Sequence, residues 1–171
     1  MSKANGPLYA VHFRRRREGV TDFAKRVALL KSGKPRLVIR KSNKYVTVQV
    51  VTFSEKGDFT VASATSRQLS KYGFAGKVNT PSAYLTGLLV AAIAKSKGVQ
   101  QCVADLGRHA ATRGGLLYAA LKGAVDAGLS IPVDETVFPK QERIEGSHVK
   151  GATGFKQAKE KILSGNKGAA K

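Results

Sequence analysis

Two runs of alternating side chains, separated by a short polar turn within PRLVIRKSNKYVTVQVV at residues 35–51, restrict this chain more than any other feature. Leu37 and Ile39 alternate with Arg36, Val38 and Arg40, and Val46, Val48 and Val50 alternate with Tyr45, Thr47 and Gln49. A period of two buries one face of a strand and leaves the other free, so a hairpin with one apolar face is predicted. The turn holds Arg40, Lys41 and Lys44 around Asn43, a residue that tolerates the left-handed backbone of a tight reversal. With Arg36, four cations then crowd a stiff hairpin that also carries Ser42, Asn43 and Tyr45. Such a set can grip phosphates and stack on a base. The competing reading is an edge hairpin tipped with lysines for solubility.

Charge favours the first reading. The 171 residues carry 30 Lys and Arg against 11 Asp and Glu, a formal net charge of +19. Solubility alone needs far less. Residues 1–44 hold 13 of the basic residues and only Glu18 and Asp22 among the acids. A polyanionic partner is expected. The single cysteine, Cys102, lies in an apolar run, so no disulfide framework or cysteine metal cluster is available, which suits a reducing, cytosolic setting. The most hydrophobic window, residues 84–94, is too short to span a bilayer.

Three regions are expected: a basic extended arm over residues 1–20, an α/β domain over 21–130, and a charged tail over 131–171 with a candidate short helix at 155–163. Tyr9, Val11 and Phe13 alternate in the arm before four consecutive arginines, Arg14 to Arg17, whose mutual repulsion demands solvent or a ligand. Thr21 is placed to cap a short helix in which Phe23, Val27 and Leu30 share a face while Lys25 and Arg26 point elsewhere. After the hairpin, a turn at Glu55, Lys56, Gly57 and Asp58 leads to a third strand, Phe59 to Thr65, and Ser66 opens a brief helical turn. Thr80-Pro81 starts a helix with Leu85, Leu88, Leu89, Ala92 and Ile93 at helical spacing. Residues 101–106 read as a central strand covered on both faces, and Leu117, Leu121, Ala124 and Val125 mark another helix. The order β-β-β-α-β-α gives an α/β fold with a mixed sheet.

The loop at residues 107–115 leaves a strand and opens a helix, where backbone amides meet anions, and Arg108, His109, Thr112 and Arg113 can join them on one phosphate. No nucleotide-binding glycine fingerprint is present. Asp105 invites a nuclease reading, since the order of elements is that of an RNase-H-like enzyme, but it lacks companion carboxylates and reads better as an ion-paired structural residue near Arg108. His12, His109 and His148 lie too far apart for a zinc site, so neither a metal nor a cofactor is expected.

Several segments in order, RRRREGVTDFAKRVALLKSGKPRLVIRKSNKYVTVQVV, NTPSAYLTGLL and DLGRHAATRGGLLYAALKGAVDAGL, resemble the universal 5S-ribosomal-RNA-binding family numbered eighteen in the large ribosomal subunit. The likeness spans residues 8 to 150 and is greatest to the archaeal and eukaryotic branch; the short C-terminus points to the archaeal form. The resemblance implies a three-layer α/β/α sandwich around a mixed sheet, and a structural, non-enzymatic role on the cytoplasmic ribosome. It implies as partners 5S rRNA, 23S rRNA and a neighbouring 5S-binding protein of the central protuberance, with neither membrane nor small-molecule substrate. Carried over onto matching segments, the RNA contacts are Arg14, Arg15, Arg16, Arg17, Lys25, Arg26, Arg36, Arg40, Lys41, Ser42, Asn43, Lys44 and Tyr45, with Arg108, His109, Thr112 and Arg113 in the loop. A protein coating any nucleic acid through its arm is the remaining rival.

Overall fold

A computed structural model describes residues 6–149 and 154–165. The first five residues of the arm, residues 150–153 and the last six residues of the tail lie outside them. The predicted hairpin is present: β1, Arg36–Lys41, pairs antiparallel with β2, Val46–Thr52, with Ile39 opposite Val48. β3, Phe59–Thr65, pairs antiparallel with β2, with a register shift between Val50 and Val51. β4, Val103–Asp105, lies parallel to β1 with Arg36 opposite Val103, giving a mixed sheet in the order β3-β2-β1-β4.

Between β3 and β4 runs the crossover helix α3, Thr80–Ser96, whose first free amides are capped by Asn79: its side chain accepts from the Ser82 N–H. Its apolar residues are buried almost all round, because it sits between the sheet and α4, Leu116–Asp126. The two helices cross at glycines. A Cβ on Gly87 would lie 2.0 Å from the Ala120 carbonyl oxygen, and one on Gly123 would lie 2.1 Å from that of Tyr84. Leu37, Ile39, Val46, Val48 and Val50 face this helical layer and are fully buried. The opposite face of the sheet carries Arg36 and Arg40 and is flanked by α2, Phe23–Leu30, which reaches it through the Arg26–Asp58–Arg36 ion pairs, so helices lie on both sides of the sheet.

Several expectations need correction. Residues 101–106 do not form a central strand. Only Val103–Asp105 are extended, at the sheet edge, with Val103 and Ala104 half-buried. The run is apolar because Cys102 and Leu106 turn into the core, and among the described residues the pairing outside the sheet is a bridge from Gln101 to Ser130. Arg14–Arg17 make one helical turn, α1, instead of extended chain; the Phe13 carbonyl accepts from Arg16 and Arg17, and the turn spreads four guanidiniums around an axis. Asp22, not Thr21, caps α2 by accepting from the Lys25 N–H. Residues after 131 include a short helix, α5, Gln141–Glu145, and α6, Phe155–Gly165, whose Phe155, Ala158 and Ile162 enter the common core with Ile144. Phe155 meets the rings of Phe74 and Tyr84 at 6.5 and 5.7 Å. No helix among the described residues is long and apolar enough to cross a membrane.

Candidate nucleic-acid interface

Parallel pairing of β1 with β4 brings Arg36 and Asp105, distant in sequence, to one place on the polar face of the sheet. Arg36 is only 3% exposed, and it donates from Nη1 to Asp105 Oδ2 at 2.9 Å and from Nη2 to Asp58 Oδ2 at 2.7 Å. A buried cation needs such compensation. Each carboxylate then takes a second arginine. Arg26 of α2 donates to both Asp58 oxygens at 2.9 and 2.8 Å, and Arg40 Nη2 donates to Asp105 Oδ1 at 3.0 Å, which also accepts from the Gly107 N–H at 2.9 Å. α2 is thereby fastened to the sheet by ions; none of its residues is buried.

Burial pushes the Asp105 carboxyl upward, but Arg40, the Gly107 amide and Arg36 outweigh it and hold it below the ordinary carboxylate range. Burial acts the same way on Asp58, and hydrogen bonds and charge from Arg26 and Arg36 again prevail. Asp105 is therefore a fully engaged carboxylate, as an ion-paired structural residue should be. Its partners are Arg36 and Arg40, not the expected Arg108. Among the described residues no three His, Cys, Asp or Glu side chains gather as a metal site requires. Cys102 is buried, and burial pushes its thiol up to about 11.

The hairpin tip is fixed by Ser42, whose Oγ accepts from the Tyr45 N–H at 3.0 Å and donates to the Tyr45 carbonyl at 2.9 Å. No described non-glycine residue has a positive φ, so Asn43 does not supply the left-handed backbone expected of it; the Ser42 side chain closes the turn in its place. Lys41, Asn43 and Lys44 are exposed, and Tyr45 is half-buried. The tip is tied to the glycine loop, since the Lys41 N–H donates to His109 Nε2 at 3.3 Å. Lys25 Nζ reaches the Gly107 carbonyl at 3.3 Å, and Arg15 Nε donates to Thr21 Oγ1 at 2.7 Å.

Beyond the hairpin tip, the candidates fall into four places. Arg15, Lys25, Arg26, Arg36, Arg40, Arg108 and His109 surround one cleft between α2, the arm and the sheet. Lys41 and Thr112 meet His109 in a neighbouring hollow. Arg14, Arg16 and Arg17 point to solvent, with only a long Arg14 to Glu18 pair at 3.8 Å among the described residues. Arg113 stands apart, toward Asp134, whose carboxyl Thr136 and that guanidinium hold low. Arg36, almost wholly buried, offers the cleft little surface and acts as a brace. Sequence reasoning assigned Asp58 only to a turn. The scarcity of acids was the available signal: among so few, each is a candidate partner for a cation.

A family model described as ribosomal large subunit proteins 60S L5 and 50S L18 matches residues 8–98. The large ribosomal subunit protein uL18 of Caldivirga maquilingensis is 53% identical over 148 residues, covering 85% of this chain and 72% of that protein. The same-named proteins of Methanoregula boonei and Korarchaeum cryptofilum are 50% and 51% identical, over 85% of this chain and 84% and 75% of theirs. These relatives are archaeal, the branch to which the sequence segments pointed. From the basic arm to the glycine loop, the polar face of the sheet is thus set in a chain that belongs to the family of ribosomal large-subunit proteins 60S L5 and 50S L18.

Proposed function

We propose that this chain is a structural, non-enzymatic constituent of the large ribosomal subunit that binds 5S rRNA and helps attach it to 23S rRNA in the central protuberance, beside another 5S-binding protein. The observation that carries this reading is the gathering of the arm, α2, the hairpin tip and the glycine loop around one polar sheet face. That face is held by ion pairs and so is already shaped before any RNA arrives. A-form major grooves are too narrow for side chains, so selectivity comes from loops, bulges and the spacing of phosphates along folded RNA. The contacts are Arg14 to Arg17, Lys25, Lys41, Asn43, Lys44, Tyr45, Arg108, His109, Thr112 and Arg113, with Arg26, Arg36 and Arg40 holding the face in shape.

Competition tests the reading. Labelled 5S rRNA bound to the full chain should survive an excess of duplex RNA of similar length, and Lys41→Ala with Lys44→Ala should weaken it without altering thermal unfolding. Equal loss of 5S rRNA to any polyanion would identify a coating protein. Cleavage of RNA in magnesium, abolished by Asp105→Asn, would identify a nuclease.

A further inference from the structure

The cleft between α2 and the polar sheet face measures about 310 Å3. Its wall is rich in cations that lack carboxylate partners. Asp105 is spent on Arg36 and Arg40, and Asp22 caps α2 through the Lys25 amide. Among the described residues Arg15, Lys25 and Arg108 form no ion pair at all, yet all three line this one opening.

Two glycines fix the geometry of the wall. Gly107 has φ +62°, and a Cβ there would lie 2.9 Å from the Arg40 guanidinium carbon; Gly19 has φ +67°, and its Cβ would stand 3.7 Å from Arg108 Nη1. The Arg40 guanidinium is pressed against bare backbone, whereas Arg108 stands at ordinary contact distance, and both glycines hold a backbone conformation that only glycine adopts easily. Asp22 and Asp105 also line the cleft, but its cations outnumber them, and the surplus repulsion is relieved by a group with several charged acceptor oxygens. The volume stands at the small end of ligand pockets, enough for a phosphate with an attached sugar and too little for a stacked pair of bases.

The geometry points to a discrete phosphate-binding site in this cleft, closed on one phosphate by Arg15, Lys25 and Arg108 and floored by the braced Arg40. The site deepens the RNA-binding reading and rests on it only for the source of the phosphate. That source is a backbone phosphodiester of the bound RNA or a free phosphate compound, and the same oxygens serve in both.

Inorganic phosphate is the probe, titrated into the full chain by calorimetry and by thermal unfolding against chloride at equal ionic strength. Saturable binding is expected. Lys25→Ala with Arg108→Ala should weaken it by about a hundredfold, roughly tenfold for each charge-assisted contact removed. Lys31→Ala with Lys34→Ala removes the same charge from exposed positions outside the cleft and should leave it within about twofold. Equal effects of phosphate and chloride, or equal losses in the two double variants, would overturn the site. A second titration uses the preformed complex with 5S rRNA. Exclusion of phosphate there assigns the cleft to an RNA phosphodiester, and continued binding assigns it to a free phosphate compound; both uphold the site. Phosphate binding without selectivity for 5S rRNA would sink the RNA reading alone, and selective RNA binding without a phosphate site would sink this inference alone.

Discussion

Arg36 is a cation placed where water cannot reach it, and two carboxylates shared with Arg26 and Arg40 make that tolerable. Removing a carboxylate is therefore worse than removing the arginine. Asp105→Asn leaves Arg36 half-compensated in a buried site and should cost about 3 kcal/mol, the lower end for breaking a buried pair, because Asp58 remains. Arg36→Met leaves Asp58 with Arg26 and Asp105 with Arg40, and should cost less than about 1.5 kcal/mol. Urea unfolding of the two variants checks the order, and the reverse order would remove the brace from the account. Acid acts on the same cluster. Both carboxyls titrate lower in the folded chain than in the unfolded one, so their stabilisation is complete above the unfolded value near about 3.9 and drains as pH falls below it through the folded values. Repeating the urea curves below pH 4 should show the wild-type advantage over Asp105→Asn shrinking as the pH is lowered. Asp105 was legible as a structural acid from its isolation in sequence. Its partners were not, since Arg36 meets it only through the parallel register of β1 and β4, which side-chain periodicity does not encode.

At the scale of elements, the apolar patterns located β1, β2, β3 and α4 because each buries one face at its own period, and α3 because its leucines recur at helical spacing within a helix buried almost all round. They were silent on which pieces become edges. A run such as residues 101–106 is equally apolar whether a sheet covers both faces or its ends turn into one core. Phe155, Ala158 and Ile162 share a face at spacings of three and four, which signalled a helix, but nothing local indicated that Phe74 and Tyr84 would receive it. The crossing of α3 on α4 was invisible for a different reason. Glycine in a helix normally weakens it, so Gly87 reads as a flaw until the Ala120 carbonyl is found where its Cβ would stand. Gly87→Ala should raise local helix propensity and nevertheless destabilise the protein by about 1–3 kcal/mol, because the helices must separate. Thermal unfolding followed by circular dichroism reads this directly, and a stabilised Gly87→Ala would mean the helices can part at no cost.

Across the whole molecule the sheet separates two kinds of chemistry. One face is apolar and carries α3 with α4 and α6 packed against that helix, and its burial supplies the stability. The other is held together by ions, carries α2 and the arm, and keeps a surplus of cations. This division allows the arm to be altered without touching the core, since Arg14 to Arg17 are exposed and bury nothing. Replacing all four by alanine should leave the unfolding temperature nearly unchanged. The same variant should bind 5S rRNA with a shallower dependence on salt. If the intact chain neutralises about eight phosphates, log K against log salt slopes by about −6 to −7, and losing four contacts should bring it to about −3 to −4. A slope unchanged by the substitution would show that the arginine turn lies off the RNA, and the cations of α2, the hairpin tip and the glycine loop would then have to account for the whole electrostatic term.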